Sequence, residues 1–249
     1  MRQTRTMKRL FVERPLDPRS TCTLDAESAH YLGRVLRARV GDTLTVFDRD
    51  GRTGAARISH LGKRSAALDV GELTIVDDRS QVRVVLLQAL SRAQKIDLVI
   101  QKAVELGVDE VIPIATERSA MKVDDVKVAH KLAHWTKVAI GACQQSGRVR
   151  LPEIHPPQTL DAALGEISAD VQLVALPDAT TSLREVLNAP APKCVAVLIG
   201  PEGGFSDSEI RLCADASFTP VRAGDRVLRT ETAAIALLSV IQFAWGGLS

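Results

Sequence analysis

The order of apolar and polar residues divides the chain into two parts that differ in rhythm. In residues 1–78, short apolar runs are separated by turn residues, as where Asp50-Gly51 follows the alternating run Thr43-Leu-Thr-Val-Phe. In residues 79–249, short apolar runs alternate with longer segments in which apolar residues recur every three or four positions. Closely spaced short strands are typical of a small barrel, and alternating strands and helices are typical of a parallel sheet. We therefore predict a β-rich domain over 1–78 and an α/β domain over 79–249.

The same periodicity predicts the individual elements. One helix is expected over 25–39, because Leu32, Val35 and Leu36 fall on one face. The strands expected in the first part are 9–12, 43–47, 55–60 and 66–70. The strands expected in the second part are 82–87, 111–114, 171–176, 195–199 and 218–221. The helices expected there are 91–106, 124–146, one from Ser206 and one from about Thr230, and residues 77–80 are the expected linker.

The stretch from Val195 to Ile210 joins a buried strand to a glycine-rich loop. The loop Gly200-Pro-Glu-Gly-Gly cannot continue the strand, and Ser206 stands three residues before Glu209, the spacing of a capping box. A strand, a glycine loop and a helix start are typical of a small-molecule site, because backbone N–H groups lie open there. The loop matches neither the P-loop pattern nor the dinucleotide fingerprint. A glycine turn with a purely structural role is an equal alternative.

Composition limits the classes of function. With 45% hydrophobic and 25% charged residues, the chain is typical of a soluble globular protein. Lys and Arg number 14 against seven Asp and Glu in residues 1–64, and 18 against 23 in the rest. A basic N-terminal quarter favours a polyanionic partner such as nucleic acid, and a solvated positive face is the plainer alternative. Aromatic residues make up only 3%, which argues against a base-stacking platform.

The cysteines and the apolar segments indicate the cellular compartment in which the protein is expected. The four cysteines are widely spaced and form no C-x-x-C pair, which argues against a disulfide framework or zinc cluster and fits a reducing cytoplasm. The first residues contain no apolar core of a secretory signal. The apolar stretch from Thr232 to Trp245 has 14 residues, whereas a membrane span needs roughly 20. We expect a cytoplasmic protein with a buried C-terminal helix and no membrane segment.

Polar residues cluster near the predicted carboxyl ends of three strands, where parallel sheets bind their ligands. These ends are Leu176-Pro177, Ile199-Gly200 and Ala223-Gly224. Arg229, Thr230 and Glu231 follow the third end and precede the most apolar helix. Thr230 as N-cap and Glu231 near the helix dipole explain part of this cluster, but they leave the cation Arg229 unexplained. The five histidines lack the spacing of metal ligands, so no metal is expected.

Two C-terminal motifs together resemble the RsmE family. They are L-I-G-P-E-G-G-F-S-D-S-E-I at 198–210 and V-L-R-T-E-T-A-A at 227–234. The resemblance extends to 30–37, 101–108, 117–119 and 145–148 and so covers nearly the whole chain. RsmE proteins are SPOUT-superfamily methyltransferases that methylate N3 of a uridine in small-subunit (16S) ribosomal RNA with S-adenosylmethionine. The chain departs from the family pattern at Gln144 and at Leu176-Pro-Asp-Ala.

The resemblance implies a fold, a cofactor pocket and partners. The fold would be a PUA-like RNA-binding β-barrel domain over 1–78, followed by a SPOUT-type parallel sheet with a C-terminal trefoil knot over 79–249. The contacts to S-adenosylmethionine would fall at Leu176, Gly200, Ala223, Gly224, Val227 and Leu228. The implied partners are 16S ribosomal RNA of the small subunit and a second copy of the chain, because SPOUT enzymes are usually dimers.

The chemistry of uridine gives three charged residues candidate roles. N3 is a poor nucleophile until its proton leaves, so the reaction requires a base or a cation that stabilises the anion. Arg229 is the candidate for stabilising the uracil anion or a flanking phosphate. Glu231 and Glu202 are the candidate proton acceptors, and a structural role in the loop is as well supported for either. The residues expected to contact RNA phosphates are Arg9, Arg34, Arg37, Lys63, Arg64 and Arg148.

Two rival functions belong to different classes. A non-catalytic RNA-binding protein of ribosome assembly on the same fold would share the basic N-terminal part but would give the glycine loop no ligand. A nucleotide-dependent oxidoreductase would require a G-x-G-x-x-G turn and an acidic ribose-binding residue after it, and the sequence contains neither.

Overall fold

The computed structural model describes residues 8–78, 80–120 and 125–248, and at 93 and 125–127 it describes the backbone alone. The described residues belong to two compact units, which comprise Met1–Asp78 with Cys143–Leu151, and Arg79–Ala142 with Pro152–Ser249. Arg79 of the expected linker and Asp124 at the expected start of a helix lie outside the described residues. None of the described helices is long and apolar enough to cross a membrane.

The first unit is built on a five-stranded sheet. Its strands are β1 (Arg9–Phe11), β2 (Thr21–Leu24), β3 (Thr43–Phe47), β4 (Arg52–Leu61) and β5 (Ala66–Ile75). Their order is β1-β3-β4-β5-β2, with β1 parallel to β3 and the other neighbours antiparallel. The four expected strands are present. β2 is an addition, because four residues that alternate between exposed and buried are too short a run to be recognised.

The helix expected over 25–39 is shorter and changes type. α1 (Ala26–His30) begins after Asp25 and continues as a π-helical turn over Tyr31–Val35. Arg37 has a φ of 48°, in the left-handed region that a right-handed helix cannot include. The prediction of one regular helix is therefore wrong beyond residue 35. Leu32 and Ala38 would lie on different faces of a regular helix, and the irregular turn buries both in one core.

The second unit contains a seven-stranded sheet in which all neighbouring strands are parallel. Its strands are β6 (Arg83–Ala89), β7 (Glu110–Ala115), β8 (Glu153–Ile154), β9 (Gln158–Thr159), β10 (Val171–Ala175), β11 (Cys194–Ile199) and β12 (Thr219–Val221). The strand order is β12-β10-β11-β6-β7-β8, and β9 also pairs with β7. The predicted parallel sheet is therefore confirmed.

Six helices of the described chain begin in the second unit. They are α2 (Ala93–Glu105), α3 (Asp125–Ser146), α4 (Leu160–Glu166), α5 (Leu183–Leu187), α6 (Asp207–Asp215) and α7 (Thr230–Trp245). α2 ends where Gly107 takes a φ of 82°. The predicted capping box of α6 is confirmed, because Ser206 and Glu209 each accept the backbone N–H of the other. The helices α4 and α5 were not predicted, since seven and five residues hardly display a helical period.

Three neighbouring strands of this sheet end at the same edge. Ala175 of β10 pairs with Ile199 of β11 on one side and with Val221 of β12 on the other. The chain therefore leaves the sheet side by side at Leu176, Gly200 and Arg222. This is the carboxyl edge, at which parallel sheets bind their ligands.

Candidate functional site

A cavity of about 280 Å³ opens at this carboxyl edge. Three segments line it, namely residues 175–177 at the end of β10, 199–202 at the end of β11, and 221–224 with 226–230 between β12 and α7; Ala233 of α7 also contributes. All six residues that the sequence analysis connects with a cofactor lie in its wall. They are Leu176, Gly200, Ala223, Gly224, Val227 and Leu228. The fold thus brings together three segments that lie more than 50 residues apart in the sequence, as Leu176 and Leu228 do.

The glycine loop has both a packing constraint and a place in the cavity. A Cβ at Gly200 would lie 2.8 Å from the ring of Phe205, which is closer than side chains tolerate. Gly204 has a φ of 69°, a conformation that residues with a Cβ rarely adopt. Gly200 also lines the cavity. The structural and the ligand-related explanations of the loop are therefore compatible, because packing shapes the turn that forms the wall.

A turn after β7 holds the glycine loop from outside the cavity. The guanidinium of Arg118 donates hydrogen bonds to the backbone oxygens of Gly203, at 3.0 Å, and Phe205, at 3.3 Å. The backbone N–H of Glu117 donates to Oε1 of Glu209 at 2.8 Å. In the sequence, residues 117–119 stand out only as part of the resemblance to the RsmE family. The structure gives them a function in shaping the loop.

The third segment is held by the chain that follows β10. The N–H of Arg222 donates to the oxygen of Thr181 at 2.9 Å, and the N–H of Leu183 donates to the oxygen of Arg222 at 3.0 Å. The N–H of Leu176 donates to the oxygen of Val221 at 3.0 Å. These bonds use backbone atoms alone, so the departure from the family pattern at Leu176 leaves them intact.

Thr230 connects α7 to the glycine loop. Its hydroxyl donates to the oxygen of Gly200 at 2.7 Å and accepts from Nε2 of the fully buried Gln88 at 2.9 Å. Arg229, and not Thr230, occupies the N-cap position, and it makes no side-chain cap. The expectation that Thr230 caps the helix is therefore wrong. Its hydroxyl faces the loop because the first turn of α7 lies beside the end of β11.

The three candidate catalytic residues are placed differently. Arg229 is exposed and lines the cavity, as does Glu202, whereas Glu231 does not. Both carboxylates contact Lys95 in the first turn of α2, whose Nζ lies 2.9 Å from Oε1 of Glu202 and 3.4 Å from Oε2 of Glu231. Lys95 was not among the predicted site residues. The available signal was a cation in the first turn of a helix, where the dipole disfavours it.

Opposing effects act on the pKa of Glu202. Partial burial raises it, and the hydrogen bond from Lys95 lowers it, as do the charges of Lys95 and Arg92. The net result is a pKa below the ordinary value, while the hydrogen bond to Glu202 raises the pKa of Lys95. The pair is therefore a carboxylate and an ammonium at neutral pH.

The six residues expected to contact RNA all lie in the first unit. Arg34, Arg37, Lys63 and Arg64 are exposed, and Arg9 and Arg148 are partly buried. The guanidinium of Arg9 lies 5.0 Å from the centroid of the Phe47 ring and donates to the oxygen of Arg148 at 3.4 Å. Burial lowers the pKa of Arg9. The four exposed cations are the more accessible to a phosphate.

Gln144, where the chain departs from the family pattern, makes a hydrogen bond within the same unit. Its side-chain oxygen accepts the backbone N–H of Phe11 at 3.0 Å. A carboxylate oxygen of the Glu expected from the family would accept this bond equally well, so the replacement preserves the contact.

One group of possible metal ligands occurs among the described residues, at the amino end of the sheet. Ligand atoms of Glu110, Glu153 and His155 lie within 4.8 Å of one another. His155 pairs with one oxygen of Glu110 at 3.2 Å, and Arg83 pairs with the other. Since Arg83 and His155 already occupy both oxygens of Glu110, we assign no metal to it.

Comparison with known proteins places the chain among RNA-modifying enzymes. Residues 78–242 match the family described as RNA methyltransferase domain, and residues 24–71 match RNA methyltransferase PUA domain. Ribosomal RNA small subunit methyltransferase E of Buchnera aphidicola (subsp. Schizaphis graminum) is 30% identical, over 97% of this chain and 98% of that protein. The protein of the same name from Bacillus subtilis is 27% identical, over 95% and 96%.

Two solved structures resemble the whole chain. A methyltransferase from Legionella pneumophila, in complex with bound SAM, has a TM-score of 0.92 and 38% identity, with 97% of this chain and 99% of that chain covered. Ribosomal RNA small subunit methyltransferase E from Neisseria gonorrhoeae, bound to S-adenosyl methionine, has a TM-score of 0.88 and 30% identity, with coverage of 98% and 100%.

Proposed function

The chain belongs to the ribosomal RNA small subunit methyltransferase E (RsmE) family, and we propose that it methylates N3 of a uridine in 16S ribosomal RNA. It is an S-adenosylmethionine-dependent rRNA methyltransferase. The choice of uridine N3 and the roles of individual residues are part of the proposal. The observation that carries it is the cavity at the carboxyl edge. Backbone segments in its wall are suited to a cofactor, and Arg229 and Glu202 are placed to act on the uracil ring.

The residues of the cavity fit S-adenosylmethionine. Its volume of about 280 Å³ is close to the lower end of the range for small-molecule sites, about 300 Å³. Leu176, Val227 and Leu228 would pack against the apolar parts of the cofactor, and backbone groups at Gly200 and Gly224 would meet its polar edges. A Cβ at Gly224 would meet no atom within 4 Å, so the backbone there is open to approach. When bound, the cofactor supplies an electrophilic methyl group on a positively charged sulfur.

Arg229 and Glu202 would act on the uracil ring. The proton on N3 must leave before N3 becomes a good nucleophile, and the anion that remains spreads onto the neighbouring oxygens. Arg229 stabilises this anion electrostatically, and Glu202 accepts the proton or holds it in a hydrogen bond. Glu231 supports Glu202 through Lys95 and does not meet the ring, since it is absent from the cavity wall.

The basic residues of the first unit would bind RNA phosphates. Exposed Arg and Lys contribute affinity without choosing a sequence, because phosphates are alike in every nucleotide. The target uridine is therefore selected by RNA structure, and a partly assembled small subunit in the cytoplasm is the substrate that offers it. The rival function of a non-catalytic assembly factor has no use for Arg229 and Glu202 at the cavity.

The expected trefoil knot is part of the proposal. The backbone of Arg222 is bonded on both sides to the segment after β10, through Thr181 and Leu183. The chain then continues to Thr230, which is bonded to Gly200 of the next strand end. Such a course supports threading of residues 222–230 past the segment 176–183. An experimental backbone traced through these two segments tests it.

A homodimer is also proposed, from one face of α7. Phe243 is 72% exposed and Val240 is 42% exposed, three residues apart on the same side of the helix. Val227, which lies just before the start of α7, is 79% exposed. Exposed apolar side chains therefore occur near both ends of this helix. A second copy presents the same apolar face, and a two-fold interface is self-complementary. We therefore propose that the exposed face of α7 packs against its counterpart.

Mapping of the methylated nucleoside tests the function. The purified chain is incubated with S-adenosylmethionine and with small subunits, or free 16S rRNA, from a strain that lacks this modification. We expect one 3-methyluridine in the subunit, located by mass spectrometry of nuclease fragments. If calorimetry shows that the chain binds the cofactor but no RNA is methylated, the proposed methylation of 16S rRNA is contradicted. Methylation at another atom would contradict the assignment to N3.

A further inference from the structure

Lys95 lies between two acidic side chains that come from different elements. Glu202 belongs to the glycine loop after β11, and Glu231 belongs to the first turn of α7. The ammonium of Lys95 is 2.9 Å from one carboxylate and 3.4 Å from the other. The bridge therefore joins α2, the glycine loop and α7, two of which contribute residues to the cavity.

We propose that Lys95 is a positioning residue for methyl transfer, which ties Glu202 of the glycine loop to Glu231 of α7 and so fixes the Glu202 carboxylate in the cavity wall. The inference rests on the proposed function, in which Glu202 receives the proton of N3. Lys95 is not itself a lining residue of the cavity. It acts through Glu202.

Helix stability does not account for Lys95. It lies in the first turn of α2, where the N-terminal end of the helix dipole repels a cation, and that turn contains no acidic residue. Ion pairs of partly exposed side chains also contribute little to stability. Two carboxylates from outside the helix are what make this position favourable for a lysine.

The charges around Glu202 explain what the bridge does. Lys95 and Arg92 favour its ionised form. The carboxylate of Glu231 contacts the same ammonium, so the two negative charges lie close enough to repel each other once that ammonium is gone. Oε2 of Glu231 is buried and accepts no hydrogen bond from the described residues, so Lys95 is its charged neighbour. If the ammonium is removed, the carboxylates repel each other and the pKa of Glu202 rises.

A pH series with matched variants tests the proposal. Lys95→Met removes the charge, Lys95→Arg keeps it, and Lys102→Met is the control because Lys102 pairs with Glu105 on the same helix. Protonation of Glu202 lowers the rate only where the pH is below its pKa, so the rate of Lys95→Met relative to wild type should fall about tenfold for each unit by which the pH lies below the raised pKa. The loss should therefore grow as the pH is lowered towards about 5 and disappear at about pH 9. Lys95→Arg and Lys102→Met should show no such dependence.

A double variant separates charge from folding. In Lys95→Met with Glu231→Gln, the like charge is gone, so the pH dependence of the relative rate should largely disappear. A relative rate that is equally low at every pH in Lys95→Met, and unchanged by Glu231→Gln, would show a merely structural lysine and overturn the proposal.

A titration that needs no RNA makes the proposal independent of the reaction. The carboxyl carbon of Glu202 is followed by NMR in protein labelled at glutamate, with Glu202→Gln for assignment. The pKa of Glu202 should be higher in Lys95→Met than in wild type. An unchanged pKa overturns the role of Lys95 even in an active enzyme. If the pKa of Glu202 rises in Lys95→Met but the wild-type enzyme methylates an atom other than N3, only the proposed function is contradicted and the role of Lys95 stands.

Discussion

Arg229 is the residue whose placement is hardest to explain by stability. It occupies the N-cap position of α7 without capping it, although that position favours Ser, Thr, Asp or Asn. Its positive charge faces the positive end of the helix dipole. It is exposed and lines the cavity. This placement supports the proposal that Arg229 acts on a bound anion.

Substitution of this arginine should separate binding from chemistry. In Arg229→Ala, we expect methylation to fall by about a hundredfold, the usual effect of losing a preorganised group that stabilises developing charge. Cofactor affinity, measured by calorimetry, should stay close to that of wild type, since the pocket is expected to bind largely through backbone. Arg211→Ala on α6 serves as control, because Arg211 is exposed and lies outside the cavity wall. Full methylation by Arg229→Ala would refute the role.

At the scale of elements, the start of α7 and the end of β11 behave as one piece. Thr230 is 5% exposed, and its hydroxyl spans from Gln88 of β6 to Gly200 of the glycine loop. Arg118 holds the other side of the same loop through Gly203 and Phe205. The loop is therefore fixed at both ends by groups outside it. Such a preorganised wall loses little entropy when a ligand binds.

Removing the threonine hydroxyl should loosen this wall. Thr230→Val keeps the side-chain shape but removes both hydrogen bonds, and one bond left unmade in a buried site costs about 1–3 kcal/mol. We expect a lower free energy of unfolding in urea and weaker binding of S-adenosylmethionine. Thr232→Val, two residues along at an exposed position of the same helix, should change neither quantity. Equal behaviour of the two variants would show that the Thr230 hydroxyl does not hold the loop.

At the scale of the molecule, the exposed face of α7 is the surface through which we propose that two copies of the chain form a dimer. The helix carries the cavity wall at its start and the exposed side chains of Val240 and Phe243 near its end. Burying a phenylalanine side chain contributes about 1.5–3 kcal/mol in each copy. Packing of this face in a dimer would therefore also restrain the helix that bears Arg229.

An acidic residue on this face should dissociate the dimer. Phe243→Glu places a charge where the apolar contact is proposed, so light scattering after gel filtration should give the mass of one chain, 26.9 kDa, in place of a dimer. Val40→Glu, the same kind of change at an exposed residue of the first unit, should leave the dimer intact. A wild-type chain that runs as a monomer at micromolar concentration would contradict the proposal.

The sequence was most informative where local rules decide the structure. The strands of the parallel sheet follow from runs such as Val195 to Ile199, which are apolar on both faces. The start of α6 follows from the spacing of Ser206 and Glu209. The prediction of one regular helix over 25–39 failed because Leu32 and Ala38 are buried in the same core. This tertiary requirement overrides the period of a regular helix.

The sequence by itself determined the segments of the site, and the tertiary structure decided how they meet. The motifs at 198–210 and 227–234 contain Gly200, Arg229 and Glu202, which lie together in one cavity wall. Periodicity and capping act over a few residues, so they place such segments at strand ends without relating one segment to another. The bridge from Lys95 to Glu202 and Glu231 joins residues more than 100 positions apart. Only the pairing of β11 with β6, the strand that precedes α2, and the packing of α2 against α7 could place these charges in contact.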